Sequence, residues 1–243
     1  ESGAWCGNDV MGCSAVRHRA AALISQNANW LAEVNYRDVG KPIFESQGID
    51  IASGTATVEY FANLAVHICG RTIPAPYGDV LDYTVHESLG VVATVMLWKI
   101  LLLIACRKVA RALAAGNTVV LKRSSWAPPC PLALGDIFGQ AGLAAGALDV
   151  ITSAGRVTGQ ALARHPDVHG VNLTGSTEVR RSIMSPCVAG LKGYGVKLGG
   201  KSPASVLLGC DMDGTISGTL FGACLNQGEC CCVLVHEAVY DCN

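Results

Sequence analysis

The chain has 243 residues, half of them hydrophobic, a mass of 25.2 kDa and a mean hydropathy of +0.35. That is enough to bury a core in one large domain or two modest ones, and too apolar for a disordered tail. Eighteen basic residues against 19 acidic ones leave a net charge of -1 without a like-charge run, which excludes an extended polyanion-binding surface and nucleic acid as a partner. The 12 cysteines contain no CxxC, and the chain opens on ESGAWCGNDV rather than a basic and then apolar leader. A reducing, cytoplasmic compartment is expected, with no structural metal, because Cys230, Cys231 and Cys232 in direct succession cannot readily all face one tetrahedral ion.

In chain order, residues 15–35 and 49–68 read as two helices, followed by a Pro- and Gly-marked piece, RTIPAPYGDVLDYTVHES. This piece suits an extended excursion, either an oligomerisation arm or an ordinary surface loop. Residues 89–106 carry a single charge, Lys99, over nearly a bilayer-spanning length. Their first part, GVVATV, is β-branched like a buried strand. The remainder runs into Arg107, Lys108 and Arg111 with Leu103, Cys106, Ala110 and Leu113 at helical spacing. The stretch is therefore read as a strand and a helix, with no membrane partner.

From there the pattern alternates: strand 90–95, helix 100–115 closed by Gly116-Asn117, strand 118–121, a proline-marked loop, helix 132–141, strand 148–152, helix 157–163, strand 168–173, and a helix opened by Thr174-Gly175-Ser176. Such alternation predicts an α/β fold with a Rossmann-like doubly wound parallel sheet, whose ligands sit beyond the carboxyl ends of the strands. No internal repeat interrupts it.

Three stretches carry candidate chemistry. Residues 195–202, GVKLGGKS, satisfy the phosphate-loop pattern of nucleotide triphosphatases. That loop must leave a buried strand and open a helix, whereas LKGYG precedes this one and PASVLL follows, which reads as turn and then strand. A phosphate-loop nucleotidase is thus a remote alternative. Thr174-Gly175-Ser176 lies between strand and helix, where backbone NH groups and the helix dipole meet a pyrophosphate, or where a glycine simply permits a tight turn. Asn226-Gln227-Gly228-Glu229 leads into three cysteines, which are nucleophile candidates or small buried hydrophobes.

Together these segments resemble the aldehyde dehydrogenase superfamily. GKPIFESQGIDI (40–51), GRTIPAPYGDVLDYT (70–84), ALAAGNTVVLK (112–122), GRVTGQALARHPDV (155–168), LTGSTEV (173–179), LGGKSP (198–203) and NQGECCC (226–232) fall in family order and near family spacing. The resemblance implies oxidation of a small-molecule aldehyde to an acid with NAD or NADP, through a cysteine thiohemiacetal and thioester. It implies Cys231 as the nucleophile, Lys122 on the adenosine ribose, Ser176 on the pyrophosphate, and Trp98, Gly159, Gly175 and Leu198 lining the cofactor. Family domain order then gives residues 1–69 as N-terminal helices of the cofactor domain and 70–88 as an oligomerisation-type β excursion. Residues 89–198 form the NAD(P)-binding body and 199–243 the beginning of a second α/β, catalytic domain.

The departures from the family pattern carry equal weight. The oxyanion-holding asparagine is replaced by Lys99, and the general-base glutamate by Lys197; an ammonium cannot take a proton from water. Turnover is expected to be impaired, with the thiolate favoured by two nearby cations, and an inactive homologue kept for binding or structure is the alternative. Arg180 stands where the family has a glycine. Ser125 replaces the acid that binds a ribose 2'-hydroxyl, which together with Arg123 predicts tolerance of NADP. About four residues fewer than in the family separate Cys232 from Val235, and the family's catalytic domain continues past the position of Asn243. The sequence therefore reads as a fragment, for which the family's homo-oligomer is not expected.

Overall fold

The computed structural model describes residues 9–124, 129–200, 202–228 and 232–240. Two helices, α1 (Val10–Gln26) and α2 (Ala28–Val39), replace the single helix expected over 15–35. The break falls at Asn27, whose backbone NH and side-chain amide both bind the Leu23 carbonyl, at 3.1 and 2.8 Å, closing α1 before α2 begins. A short α3 (Ile43–Glu45) and a π-helical turn (Ser46–Ile51) lead into α4 (Ala52–Leu64). The π turn is anchored by a buried pair, Lys41 Nζ to Asp50 Oδ1 at 2.7 Å, with the Asn35 amide donating to Asp50 and Ser46. Burial raises the Asp50 carboxyl above its usual range, against the pull of Lys41.

The Pro- and Gly-marked piece forms an exposed antiparallel ribbon, β1 (Thr72–Ile73) against β2 (Asp82–Tyr83). Then β3 (Val91–Val95), α5 (Leu101–Ala114), β4 (Thr118–Lys122), α6 (Pro129–Gln140), β5 (Leu148–Ile151), α7 (Gly155–Arg164), β6 (Gly170–Gly175), α8 (Thr177–Ala189) and β7 (Gly193–Leu198) alternate as the sequence predicts up to α8. The strand β7 is a difference, since the sequence reads as a turn there. It pairs in parallel with β6 but is exposed along most of its length, so it lacks the apolar alternation of a buried strand. The remainder is β8 (Ala204–Val206), α9 (Met212–Gly228), β9 (Val233–Val235) and α10 (Glu237–Tyr240), with β8 parallel to β9.

The five-stranded sheet is parallel throughout, in the order β5-β4-β3-β6-β7. Its direction of winding reverses beside β3, and right-handed crossovers then put α5 and α6 on one face, α7 and α8 on the other. Core residues follow the strand period of two. Val119 and Leu121 join Leu101, Leu113 and Phe138 on the first face, while Ala93, Val95, Val171 and Leu173 meet Ala163 and Ile183 on the second. Residues 89–106 resolve into β3, a loop and the start of α5, and no described helix is long and apolar enough to cross a membrane.

Candidate active site

At the carboxyl edge of this sheet two cavities meet. The smaller, about 450 Å³, opens between the ends of β3, β4 and β6 and the starts of α7 and α8. The larger, about 770 Å³, lies on the α5 side and is closed by β7 and α9. Leu97, Trp98 and Thr174 line both.

In the smaller cavity, Ser176 caps α8 by accepting the Val179 NH at 3.3 Å, which leaves other first-turn NH groups for a ligand. Lys122 ends β4 at 2% exposure, and its amine is 3.4 Å from where a Cβ on Gly155 would sit, at the start of α7. Burial, and then Arg123, push the Lys122 amine below its ordinary value. A buried cation at the positive end of a helix, with no described carboxylate partner, fits an oxygen-rich ligand such as a dinucleotide's ribose and phosphates. Gly175 is on this wall. Gly159 is buried behind it, where an added Cβ would lie 3.3 Å from Ile183 of α8, so its part is to let α7 and α8 approach. Leu198 lines the larger cavity instead. Arg123 donates to the Ser124 carbonyl at 2.6 Å and faces Asp38, whose carboxyl burial raises and Arg123 lowers. Arg180 is only partly covered and reaches Met184 within its own helix, so the substitution does not wedge α8 off the sheet.

In the larger cavity the sequence-selected lysines come together: Lys99 from the loop after β3 and Lys197 near the end of β7 both line it. Gly222 and Leu225 of α9, the helix leading toward residue 231, line it too. Cys231 itself, and Ser125, lie outside the described residues. Ile100, between Lys99 and α5, is held in the left-handed region at φ 47°, a costly conformation for a β-branched residue.

Sequence reasoning missed Lys108. It is on α5 at 5% exposure, where its amine donates to the side chain and, at 3.4 Å, to the backbone carbonyl of Asn172 on β6. Burial, reinforced by Arg111, pushes its pKa down to about 7. At neutral pH a large fraction of this amine is free to accept a proton. The signal was present: Lys108 sits among the buried positions of α5, between Cys106 and Val109, where a lysine demands a partner. Among the described residues no His, Cys, Asp and Glu cluster suits a metal ion.

A reversing parallel sheet with a helix-start cleft at its carboxyl edge defines a doubly wound α/β protein, a class whose ligands sit at such a cleft. This chain belongs to the aldehyde dehydrogenase family, whose sequence model matches residues 4–242. It is 38% identical over 228 residues to an aldehyde dehydrogenase of Aspergillus niger, covering 92% of this chain and 46% of that relative. It is 38% identical over 233 residues to phenylacetaldehyde dehydrogenase of Pseudomonas fluorescens, with the same coverage. The NAD+ complex of a Bacillus cereus aldehyde dehydrogenase matches the fold with a TM-score of 0.94 at 32% identity, over 99% of this chain and 50% of that one. For an E. coli NADP-dependent enzyme the TM-score is 0.93 at 31% identity, over 98% and 50%. The chain spans about half the length of the curated relatives it matches.

Proposed function

We propose that this chain carries the cofactor-binding and nucleophile-bearing segments of an NAD- or NADP-dependent aldehyde dehydrogenase of the cytoplasm. Residues 1–69 and 89–198 form its cofactor domain, 70–88 an oligomerisation arm, and 199–243 the opening of its catalytic domain. The observation that carries this reading is the meeting of the two cavities at Leu97, Trp98 and Thr174, one suited to a dinucleotide and the other lined by the helix that leads to Cys231. Bound nicotinamide supplies a hydride acceptor.

In this reading the Cys231 thiolate adds to the aldehyde carbon, forming a C–S bond and an oxyanion. Loss of hydride from that carbon leaves a thioester. Water then breaks the C–S bond, returning the thiol and releasing the acid, and a general base must take the proton of that water. Lys99 holds the oxyanion as a mobile point charge rather than a preorganised amide. Lys197 is the wrong group for the base, and Lys108, with its depressed pKa, is the amine of the cavity best suited to substitute for it.

The expected behaviour is rapid acylation followed by slow release. An ester substrate should give a burst of about one equivalent of its leaving group, abolished by Cys231→Ser. Restoring Lys197→Glu together with Lys99→Asn should raise steady-state NAD(P)H production by roughly 10²- to 10⁴-fold. Family-like turnover of the unaltered chain would contradict the impairment. A second reading, an inactive homologue retained for binding, is favoured by the same two lysines. Absence of any burst, with dinucleotide still binding, would select it.

A further inference from the structure

The charges of the chain as a whole nearly cancel, yet those of the larger cavity do not. Lys99, Arg107, Lys108, Arg111 and Lys197 line it, and no aspartate or glutamate does so among the described residues. Arg107 and Arg111 stand one turn apart on the exposed ridge of α5. Both also line an adjoining hollow of about 470 Å³ against Tyr60 and Phe61 of α4, which places them where the two spaces join. Neither guanidinium pairs with a carboxylate among the described residues, although arginine forks are built to receive one. Crowding cations is unfavourable, and the Lys108 amine, depressed first by burial and then by Arg111, registers that repulsion.

We propose that this cavity selects an aldehyde carrying a second, anionic group, a carboxylate or a phosphate, which Arg107 and Arg111 hold. The inference rests on the aldehyde dehydrogenase reading and adds the substrate class. The cofactor's own phosphates do not account for the cluster, because Arg107, Arg111 and Lys197 are absent from the lining of the dinucleotide cleft.

The test is calorimetric titration of the full chain with glutarate and, separately, with glycerol 3-phosphate, against uncharged glutaramide at fixed ionic strength. NAD is titrated in parallel. At least one anion should bind about tenfold or more tightly than glutaramide, and the tighter of the two identifies carboxylate or phosphate. Arg107→Gln and Arg111→Gln should each weaken that binding on the order of tenfold without altering NAD affinity. Both positions are exposed, so an unchanged melting temperature verifies that the variants are folded. Equal binding of anions and glutaramide, or anion binding insensitive to both substitutions, overturns the inference. If NAD still binds in that case, the aldehyde dehydrogenase reading survives it; failure of the unaltered chain to bind NAD counts against that reading separately.

Discussion

Lysine chemistry in this protein is decided by surroundings that a residue letter does not contain. Lys122 and Lys108 are both buried, and both amines are pushed down by loss of solvation. For Lys108, with a folded pKa of about 7 against an ordinary 10.5, the linkage has a definite sign. Below about pH 7 both the folded and unfolded chains hold the proton, and the cost of burying an ammonium is borne in full. Between that point and 10.5 the folded chain has released the proton while the unfolded chain keeps it, so this group makes stability rise with pH. Buried Cys106 and Cys130, raised to about 12, act oppositely at alkaline pH, because the unfolded thiols ionise first. The difference in melting temperature between the native chain and Lys108→Met isolates the lysine. It should shift in favour of the native chain from pH 6.5 to 9, and a flat difference would contradict the assignment. Cys231, Lys99 and Lys197 could be selected from motif position alone; Lys108 could not, since its role depends on Asn172, 64 positions along the chain.

Elements in this fold are fixed by a few polar latches as much as by apolar spacing. Asn117 follows α5 and reads in the sequence only as part of a helix stop. In the structure its amide donates to the Ala112 carbonyl at 3.1 Å, and its oxygen accepts the NH groups of Leu89 and Gly90 at 2.8 and 3.1 Å. One 5%-exposed side chain therefore closes a helix and aligns the start of β3, the strand whose other end feeds the loop bearing Trp98 and Lys99. Gly90 is needed there: its φ is +107°, and a Cβ would meet the His169 ring at 2.8 Å. Asn117→Ala strands two amides and is expected to cost about 2 kcal/mol, seen as a melting temperature roughly 4–8 °C lower. No measurable change would mean that the latch is redundant. The division of the first long helix at Asn27 and the π turn before α4 were illegible for a related reason: each rests on local backbone bonding and on a buried ion pair rather than on a period.

Across the whole molecule, the sheet grades from a buried centre to exposed margins. Strands β3 and β4 are largely buried, whereas the β1-β2 ribbon and most of β7 are exposed. Hydrogen exchange should follow this gradient, with amides of residues 92–95 and 119–121 exchanging only through global opening and those of residues 72–83 orders of magnitude faster. Uniform protection would indicate that the ribbon is covered in solution. The alternation of β-branched runs with helical spacing determined the order of elements from β3 to α8, and motif order determined the family, because strand and helix periods and short signature stretches are properties of neighbours in the chain. The exposed strand β7 left no such trace, since an edge with one paired side and little burial constrains its residues weakly. Only the tertiary structure decided that Lys99, Lys197, Arg107, Arg111 and Lys108 share one cavity, and that Gly159 supports a wall while Leu198 lines the larger space. Parallel crossovers bring residues about a hundred positions apart to the same edge of the sheet, and the field they create depends on distance and burial, which a linear sequence does not encode.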